Sequence, residues 1–259
     1  AGKEVPMTIT INVPTNITLA DSGKKISIKI YFVAIQETVY DGGTAVAKTV
    51  PVMQQYFYIE DPYMPVLASG YTAVEYIQTS GTQHINTGYI NTGDNLRIYA
   101  DFMYTAAHGS ASLFGTEQGT GSNRIWTIVP YGTPSFYVGK SGSITSISPA
   151  LNTRYVMDAQ AKNGTFTVDL NGTKKTATYT GHLDKTLAIA LFGNNANGTV
   201  GQKVSARMYS FKIYDNDVIV RNLIPCVRTS DSVIGMYDTV TAKFFVNSGT
   251  GTFTKGNSI

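Results

Sequence analysis

Paired carboxylates are the first chemistry to seek, because enzymes that cleave glycosidic bonds place two acids on either side of the bond. After residue 70 the sequence has two glutamates, Glu75 and Glu117, and neither is followed by a second acid at the spacing of one strand face. Asp215 and Asp217 lie two residues apart, but the run Asp-Asn-Asp is typical of a tight turn. We therefore predict turn-forming aspartates, no catalytic residue and no enzyme activity.

Other reactive motifs are absent or incomplete. The nucleophile elbow Gly-x-Ser-x-Gly does not occur. Gly139-Lys140-Ser141 ends like a phosphate-binding loop, but Pro134 stands where that loop requires its first glycine, so a hairpin turn is predicted. We expect no cofactor. The histidines lack the spacing of metal ligands and are predicted at the surface or in loops: His84, His108 and His182.

A calcium site would need several oxygen ligands in one loop. Asp94 with Asn91 and Asn95 is the nearest candidate, and a solvated turn is the favoured interpretation. The single cysteine, Cys226, lies in an apolar stretch, so we predict a buried free thiol that packs as a small hydrophobic residue. No metal site is therefore predicted.

Sugar recognition combines an aromatic ring, which covers the apolar face of a pyranose, with polar groups that bond its hydroxyls. Trp126 is the only tryptophan, and alternation over residues 123–129 puts it on one strand face with Arg124. Tyr131 and Tyr137 follow closely. A lone tryptophan is also typical of a sandwich core, so a binding role and a core role both remain open.

An amide-rich run, Asn194-Asn195-Ala196-Asn197-Gly198, follows an apolar segment. Such a run is typical of a turn, and its amides can also bond sugar hydroxyls. Combined with the aromatic stretch, it completes a predicted ligand site whose members are Trp126, Arg124, Tyr131, Tyr137, Asn194 and Asn195.

Composition points to an extracellular β protein. Charged residues make up 14% of the chain and hydrophobic residues 42%, against about 25% charged in typical domains. The net charge is only +3, and no basic run exceeds a pair, so nucleic acid is not expected as the main partner. No stretch is long enough to span a membrane, and the start lacks a signal-peptide pattern.

Turn signals predict many short antiparallel strands. Asn163-Gly164 and Asn171-Gly172 flank a strand at 165–170, which predicts a three-stranded meander. A helical turn is expected at most over residues 71–78. The repeated strand and turn pattern favours an all-β, two-sheet sandwich.

The segment 206–214 is predicted as one strand of a hairpin, with its turn at Asp215-Asn216-Asp217 and its partner strand beginning at Val218. Strict alternation would divide its side chains between two faces. One face would carry Met208, Ser210, Lys212 and Tyr214, and the other Arg207, Tyr209, Phe211 and Ile213.

The first 61 residues are predicted as a small β domain, with strands at 7–13, 26–35 and 50–60. Residues 62–70 form the predicted linker, and residues 71–259 the large domain. So short a unit buries little core by itself. We expect a protein partner, or self-association, to cover the aromatic side chains that this small core cannot bury: Tyr31, Phe32, Tyr56, Phe57 and Tyr58.

Motifs from both ends of the large domain carry a resemblance. Near its start stand Glu75-Tyr76-Ile77 and Ile85-Asn86-Thr87-Gly88; near its end stand residues 207–215, Gly235-Met236-Tyr237-Asp238 and Phe244-Phe245-Val246-Asn247. Over about residues 67–255 the chain resembles concanavalin A-like lectin and laminin-G-like domains of gut bacteria and their phages. The resemblance implies an antiparallel jelly roll. One glucanase family shares that scaffold, but its Glu-x-Asp-x-Glu strand is missing here.

Two functions fit these observations. The first is a non-catalytic carbohydrate-binding or adhesion protein, displayed on a bacterial surface. The second is a structural or decoration protein of a phage virion, whose N-terminal unit docks to the particle. A shared fold does not separate them, because jelly rolls host sugar binding, protein binding and purely structural roles.

Overall fold

The structure is a computed structural model of the 259-residue chain. For residues 27–31, 39–41, 44–46 and 54–58, and for positions 123, 126, 127 and 135, strand placement alone is described. The remaining described residues are 67–107, 109–119, 124–125, 136–145, 147 and 149–259.

The chain divides into two units, Ala1–Pro65 and Val66–Ile259. In the first unit, β1 (Ser27–Tyr31) pairs with β4 (Gln54–Tyr58), and β2 (Val39–Asp41) pairs with β3 (Thr44–Val46), both antiparallel. The strand predicted at 7–13 lies outside the described residues. The predicted domain limits and the docking role of this unit stay predictions.

The second unit is built from short strands. In chain order its described strands are β5 (Tyr71–Ala73), β6 (Ile77–Gln78), β7 (Ile85–Ile90), β8 (Asn95–Tyr104), β9 (Phe114–Gln118), β10 (Asn123–Thr127), β11 (Ser135–Val138), β12 (Gly142–Thr145), β13 (Arg154–Lys162), β14 (Thr165–Leu170), β15 (Thr173–Thr178), β16 (Ala188–Leu191), β17 (Asn194–Ala196), β18 (Thr199–Gly201), β19 (Ala206–Asp215), β20 (Val218–Arg228), β21 (Val233–Asp238), β22 (Lys243–Phe245) and β23 (Thr254–Lys255).

These strands form two antiparallel sheets, so the predicted all-β jelly-roll sandwich is confirmed. The smaller sheet runs β12-β11-β10-β9-β16-β7, with β17 joined in parallel to β9. The larger sheet runs β15-β14-β13-β8-β19-β20-β21-β22, and β5, β6 and β23 attach to it. Each sheet therefore has one face in the shared core and one outer face.

Phenylalanines from the facing strands join the two sheets. The ring centroids of Phe114 on β9 and Phe211 on β19 are 5.6 Å apart, and those of Phe136 on β11 and Phe166 on β14 are 6.5 Å apart. All four side chains are buried. Such contacts fall in the favourable range for aromatic pairs, so the core couples both sheets.

The predicted meander is present. β13, β14 and β15 pair antiparallel in sequence order. Both Asn-Gly turns have positive φ, 50° and 76° at Asn163-Gly164 and 49° and 85° at Asn171-Gly172. Two consecutive residues with positive φ match the type I′ hairpin turn, which Asn-Gly favours.

Strict alternation along β19 is wrong because of a β-bulge. The register to β8 shifts between Met208 and Ser210. Met208 and Phe211 are therefore both buried, although they lie three residues apart. The bulge carries Arg207 onto the same outer face as Lys212, because an extra residue on one strand reverses the alternation beyond it.

The helical turn expected at 71–78 is also wrong, since this segment holds β5 and β6, which pair with β20 and β19. Tertiary pairing overrides its weak local preference. No helix found in the described part of the chain is long and apolar enough to cross a membrane.

Cys226 lies in β20, opposite Ala73 on β5 and Gly235 on β21. Its side chain is fully buried. Burial raises the pKa of the thiol to about 12. The predicted free, buried cysteine is therefore observed.

Candidate functional site

Strand β10 places the predicted site residues by its register. Arg124 lies opposite Glu117 on β9, and position 126 lies opposite Tyr137 on β11 and Gly115 on β9. Ile125 between them is 5% exposed and belongs to the core. Because neighbouring strand residues alternate between faces, Arg124 belongs to the outer face of the smaller sheet.

The Arg124 side chain is held by backbone carbonyls and an aromatic ring. Its Nε donates to the Gly139 carbonyl at 3.2 Å, and its Nη2 donates to the Lys140 carbonyl at 2.8 Å. The guanidinium carbon lies 4.8 Å from the Tyr137 ring centroid, a cation–π distance. Arg124 and Tyr137 thus make one polar and aromatic surface across β10 and β11.

Gly139 makes this arrangement possible. Its φ is +60°, and a Cβ added there would lie 2.4 Å from the Thr180 carbonyl oxygen. A side chain would therefore meet both backbone strain and a backbone atom. The close approach brings the 139–140 carbonyls within reach of Arg124.

Asn194 joins the same face from β17. It is 1% exposed, and its Nδ2 donates to Glu117 Oε2 at 3.4 Å and to Gln202 Oε1 at 3.2 Å. Its Oδ1 is buried and has no hydrogen-bond partner among the described residues. A buried acceptor without a partner is costly, so a buried water at this oxygen would be stabilising.

Asn195 has a different role. Its Nδ2 donates to the Ala188 carbonyl at 2.9 Å, which ties β17 back to β16. Its neighbour in the register is Thr116, a buried residue of β9. The structure therefore separates Asn195 from the outer-face group that Asn194 joins.

Glu117 connects the two halves of the site. The sequence alone did not predict this role, because it offered Glu117 only as a candidate catalytic acid without a second acid near it. It is half-buried on β9, opposite Arg124 on one side and Ala196 on the other. Gln202 extends this group, because its Nε2 donates to Ser110 Oγ at 3.1 Å. We call Glu117, Arg124, Tyr137, Asn194 and Gln202 the Arg124 site.

The remaining predicted residues are not tested. Tyr131 lies outside the described residues, and for Trp126 the structure gives only its register position. That position is opposite Tyr137, where a binding ring was predicted. The binding role of all six predicted residues stays a prediction.

The other carboxylates considered for catalysis, Asp215, Asp217 and Glu75, bond groups of the protein itself. Asp215 is buried and accepts from the Tyr89 and Thr92 hydroxyls. Asp217 bonds Lys162 Nζ at 3.1 Å, and this bond lowers the pKa of Asp217. Glu75 Oε2 accepts from the Asn257 backbone amide at 3.0 Å.

Metal ligands do not converge in the described part of the chain, where no group of three or more His, Cys, Asp and Glu residues could hold an ion. In the loop considered for calcium, Asp94 pairs with Lys185 at 3.2 Å, and Asn91 Nδ2 donates to the Gly93 carbonyl at 2.7 Å. Asn91 thus closes its own loop, and Asp94 is paired with a cation from another segment.

The cavity between the sheets is apolar and about 20 Å³ in volume. Its walls include Phe114, Ile125, Phe136 and Phe166. This space holds about one water molecule, so a sugar could not enter it.

Comparison with known proteins gives the class of fold. No family model matches the chain, and no curated protein matches it. A provisionally named carbohydrate-binding protein from Bacteroides ovatus is similar in structure, with a TM-score of 0.54 and 12% identity over 92% of this chain and 71% of that one. This similarity supports a shared lectin-like jelly-roll fold.

Two other solved structures are less similar. One is a heptameric SAP-like pentraxin from Limulus polyphemus, with a TM-score of 0.46 and 10% identity over 72% of this chain and 94% of that one. The other is the enzymatically active domain of tailspike protein 2 from bacteriophage CBA120, with a TM-score of 0.41 and 10% identity over 61% and 30% of the two chains.

Proposed function

We propose that the jelly roll is a non-catalytic carbohydrate-binding module, and that the Arg124 site is where it binds glycan. The observation that carries the proposal is the Arg124 guanidinium, 4.8 Å from the Tyr137 ring centroid and on the face that also carries Glu117, which the buried Asn194 holds by a hydrogen bond. Aromatic, guanidinium, amide and carboxylate groups together match the apolar and hydroxyl surfaces of a pyranose. The name of the Bacteroides ovatus protein agrees with this proposal.

The same group argues for binding without hydrolysis. Glycosidases need two carboxylates at about 5–10 Å from one another. Directly across the strands, Glu117 faces Arg124 and Ala196 instead of a second acid. Glu117 is therefore placed to accept hydroxyl hydrogen bonds.

Affinity at such a site should be modest. A sugar on one exposed ring buries limited apolar area, worth about 25 cal/mol per Å². Useful attachment would come from several copies acting together, as in display on a bacterial surface, which is the location we propose.

The test is a glycan array with wild-type protein and the variants Arg124→Gln, Tyr137→Ala and Asn194→Ala. Arg228→Gln is the control, because Arg228 bonds the exposed Asp231 instead of this site. Glycan signal should fall about tenfold or more for the three variants and stay unchanged for the control. No glycan bound by wild type, or equal binding by all variants, would disprove the proposal.

Trp126→Ala separates the two open roles of the tryptophan. Lost binding with an unchanged melting temperature would assign it to the site. A large fall in melting temperature would assign it to the packing of the domain, and the Arg124 variants would then decide the site alone.

A virion structural protein is the second candidate. It is favoured by the division of the chain at Pro65, which provides a separate N-terminal unit that could dock. Antibody labelling of purified phage particles and of intact bacteria distinguishes the two candidates by where the protein is found.

A further inference from the structure

The outer face of the larger sheet carries a second organised group. Cross-strand register aligns Asp158 on β13, Tyr99 on β8, and Lys212 and Asn222 on β19 and β20 in one row. Neighbouring rows add three arginines, a second aspartate and two tyrosines. We call the following residues the large-sheet lattice: Arg97, Tyr99, Asp101, Arg154, Asp158, Arg207, Tyr209, Lys212 and Tyr214.

Two arginines of the lattice are fully engaged. Arg97 bonds both oxygens of Asp158, at 2.8 and 2.5 Å, and its guanidinium carbon lies 4.8 Å from the Tyr214 ring centroid. Arg154 bonds both oxygens of Asp101, at 2.7 and 2.8 Å. Bidentate pairs of this kind fix both partners, so the two aspartates of the lattice are already neutralised.

Lys212 differs from these arginines. Its side chain has no ion pair or hydrogen bond with another described residue, and its Nζ lies 5.3 Å from the Tyr99 ring centroid. Across the strand, Asn222 Oδ1 is buried without a described partner. Burial, and then the nearby charge of Arg97, lower the pKa of Lys212. The ammonium is therefore partly desolvated without a compensating carboxylate.

The charge of the lattice is unbalanced. The lattice contains four cations and two carboxylates. Arg207 has no carboxylate partner, since it bonds the neutral Gln78 at 2.7 Å and lies over the Tyr76 ring. The excess is small, whereas nucleic-acid binding relies on many phosphate contacts. An anion with one carboxylate per sugar ring, which also presents a flat apolar surface to tyrosine rings, fits this excess better.

We propose that the large-sheet lattice binds an acidic saccharide, with the sugar carboxylate paired to Lys212 and the pyranose ring against Tyr99 and Tyr214. The proposal rests on the proposed carbohydrate-binding function, but it assigns a different face and a distinct ligand class. Hydroxyls beside the carboxylate would bond Asn222 or the exposed edges of the Arg–Asp pairs. The ligand supplies the negative charge that the sheet itself lacks next to Lys212.

The probes are polygalacturonate, alginate and sialyllactose, each compared with its methyl ester, in which the same sugars lose their charge. Calorimetry or biolayer interferometry with wild type should show binding of at least one acid form, and at least tenfold weaker binding of its ester. Rising salt should weaken only the acid form.

Lys212→Met is the decisive variant, and Lys212→Arg the conservative one. The first should weaken acid binding about tenfold, without lowering the melting temperature, because it removes a desolvated charge. The second should retain binding. Lys174→Met is the matched control, because Lys174 extends the same row at the exposed edge strand β15, where it lies opposite Asp169 instead of a tyrosine. It should bind as wild type.

Three results would overturn the proposal: no acid probe bound by wild type, acid and ester bound equally, or Lys212→Met binding as wild type. Failure of the Arg124 site is a separate outcome. Arg124→Gln would then leave glycan binding unchanged, while Lys212→Met would still abolish the preference for the acid form. Conversely, loss of neutral-glycan binding in Arg124→Gln together with wild-type acid binding in Lys212→Met would retain the Arg124 site and reject the lattice.

Discussion

The two outer faces of the sandwich organise arginine in opposite ways. On the smaller sheet, Arg124 bonds backbone carbonyls and stacks near Tyr137, and the nearby carboxylate, Glu117, bonds an amide of Asn194. On the larger sheet, Arg97 and Arg154 are each clamped by an aspartate. Bonds to carbonyls leave the guanidinium charge to be balanced by other groups, whereas a bidentate bond to a carboxylate makes the pair a neutral, flat part of the surface.

This difference indicates which face could bind a neutral ligand and which could bind a charged one. The smaller face offers a cation, an anion and amides to hydroxyl groups. The larger face offers neutralised pairs around one isolated ammonium, Lys212. We therefore expect neutral and acidic sugars to be distributed between the faces, and the following experiments test how independent the faces are.

The largest effect should come from the core that both faces share. Phe211→Ala removes a fully buried ring that packs against Phe114 of the opposite sheet. We expect a loss of about 3–5 kcal/mol in the free energy of unfolding, measured by urea denaturation. Val218→Ala is the control, because Val218 is 63% exposed and should change stability little. If Phe211→Ala left stability unchanged, the two faces would not depend on a common core.

Gly139→Ala should affect the smaller face next most strongly. The positive φ and the 2.4 Å approach to the Thr180 carbonyl predict a cost of about 2 kcal/mol or more. The carbonyls that hold Arg124 would shift, so glycan binding should also weaken. Gly172 also has a positive φ, +85°, but open space around an added Cβ, so Gly172→Ala tests the backbone strain alone. Equal costs for both variants would contradict a role for the close approach.

Replacing one carboxylate on each face by its amide should affect stability on the larger face and glycan binding on the smaller face. Asp101→Asn breaks a bidentate pair and should lower the free energy of unfolding by about 1 kcal/mol, since the Arg154 side chain is 56% exposed and water partly replaces the lost pair. Glu117→Gln should mainly weaken glycan binding. The result that contradicts the contrast is a binding loss for Asp101→Asn on the neutral glycans of the array.

The smallest expected effect is a pH dependence of the larger face. Burial, followed by the charge of Asp101, raises the pKa of Tyr99 to about 12, from an unperturbed value of about 10. The folded state then holds a proton that the unfolded state releases. The resulting stabilisation is complete below about pH 10 and is lost as the pH rises towards 12.

Tyr99→Phe should remove this part of the pH dependence, which we place at about 1 kcal/mol because Tyr99 is partly exposed. The measurement is urea denaturation of wild type and variant between pH 9 and about 11.5. Parallel curves for the two proteins would show that Tyr99 ionises normally.

Local turn chemistry explains what was predictable from the sequence. The Asn-Gly pairs at 163–164 and 171–172 specify their turns through residues that tolerate positive φ, so the meander followed directly. The hairpin at 215–217 followed for the same reason. These features depend on a few adjacent residues.

Features that depend on distant strands were not predictable in the same way. The bulge in β19 comes from its pairing with β8, about a hundred residues earlier in the chain, and it reassigned Arg207 to the outer face. Glu117 was predictable only as a candidate acid, because its place on β9 opposite Arg124 and Ala196 depends on strands elsewhere in the chain. Lys212 becomes informative only when register places Tyr99 and Asn222 beside it.

The position of Cys226 gives the chain a built-in reporter of opening. As the sole cysteine, it is the one thiol that an alkylating reagent can modify. The side chain is buried between β5 and β21, and its raised pKa keeps it protonated, so the folded state protects it twice. The rate at which the intact protein is alkylated therefore measures how often β20 separates from its neighbours, without any introduced label.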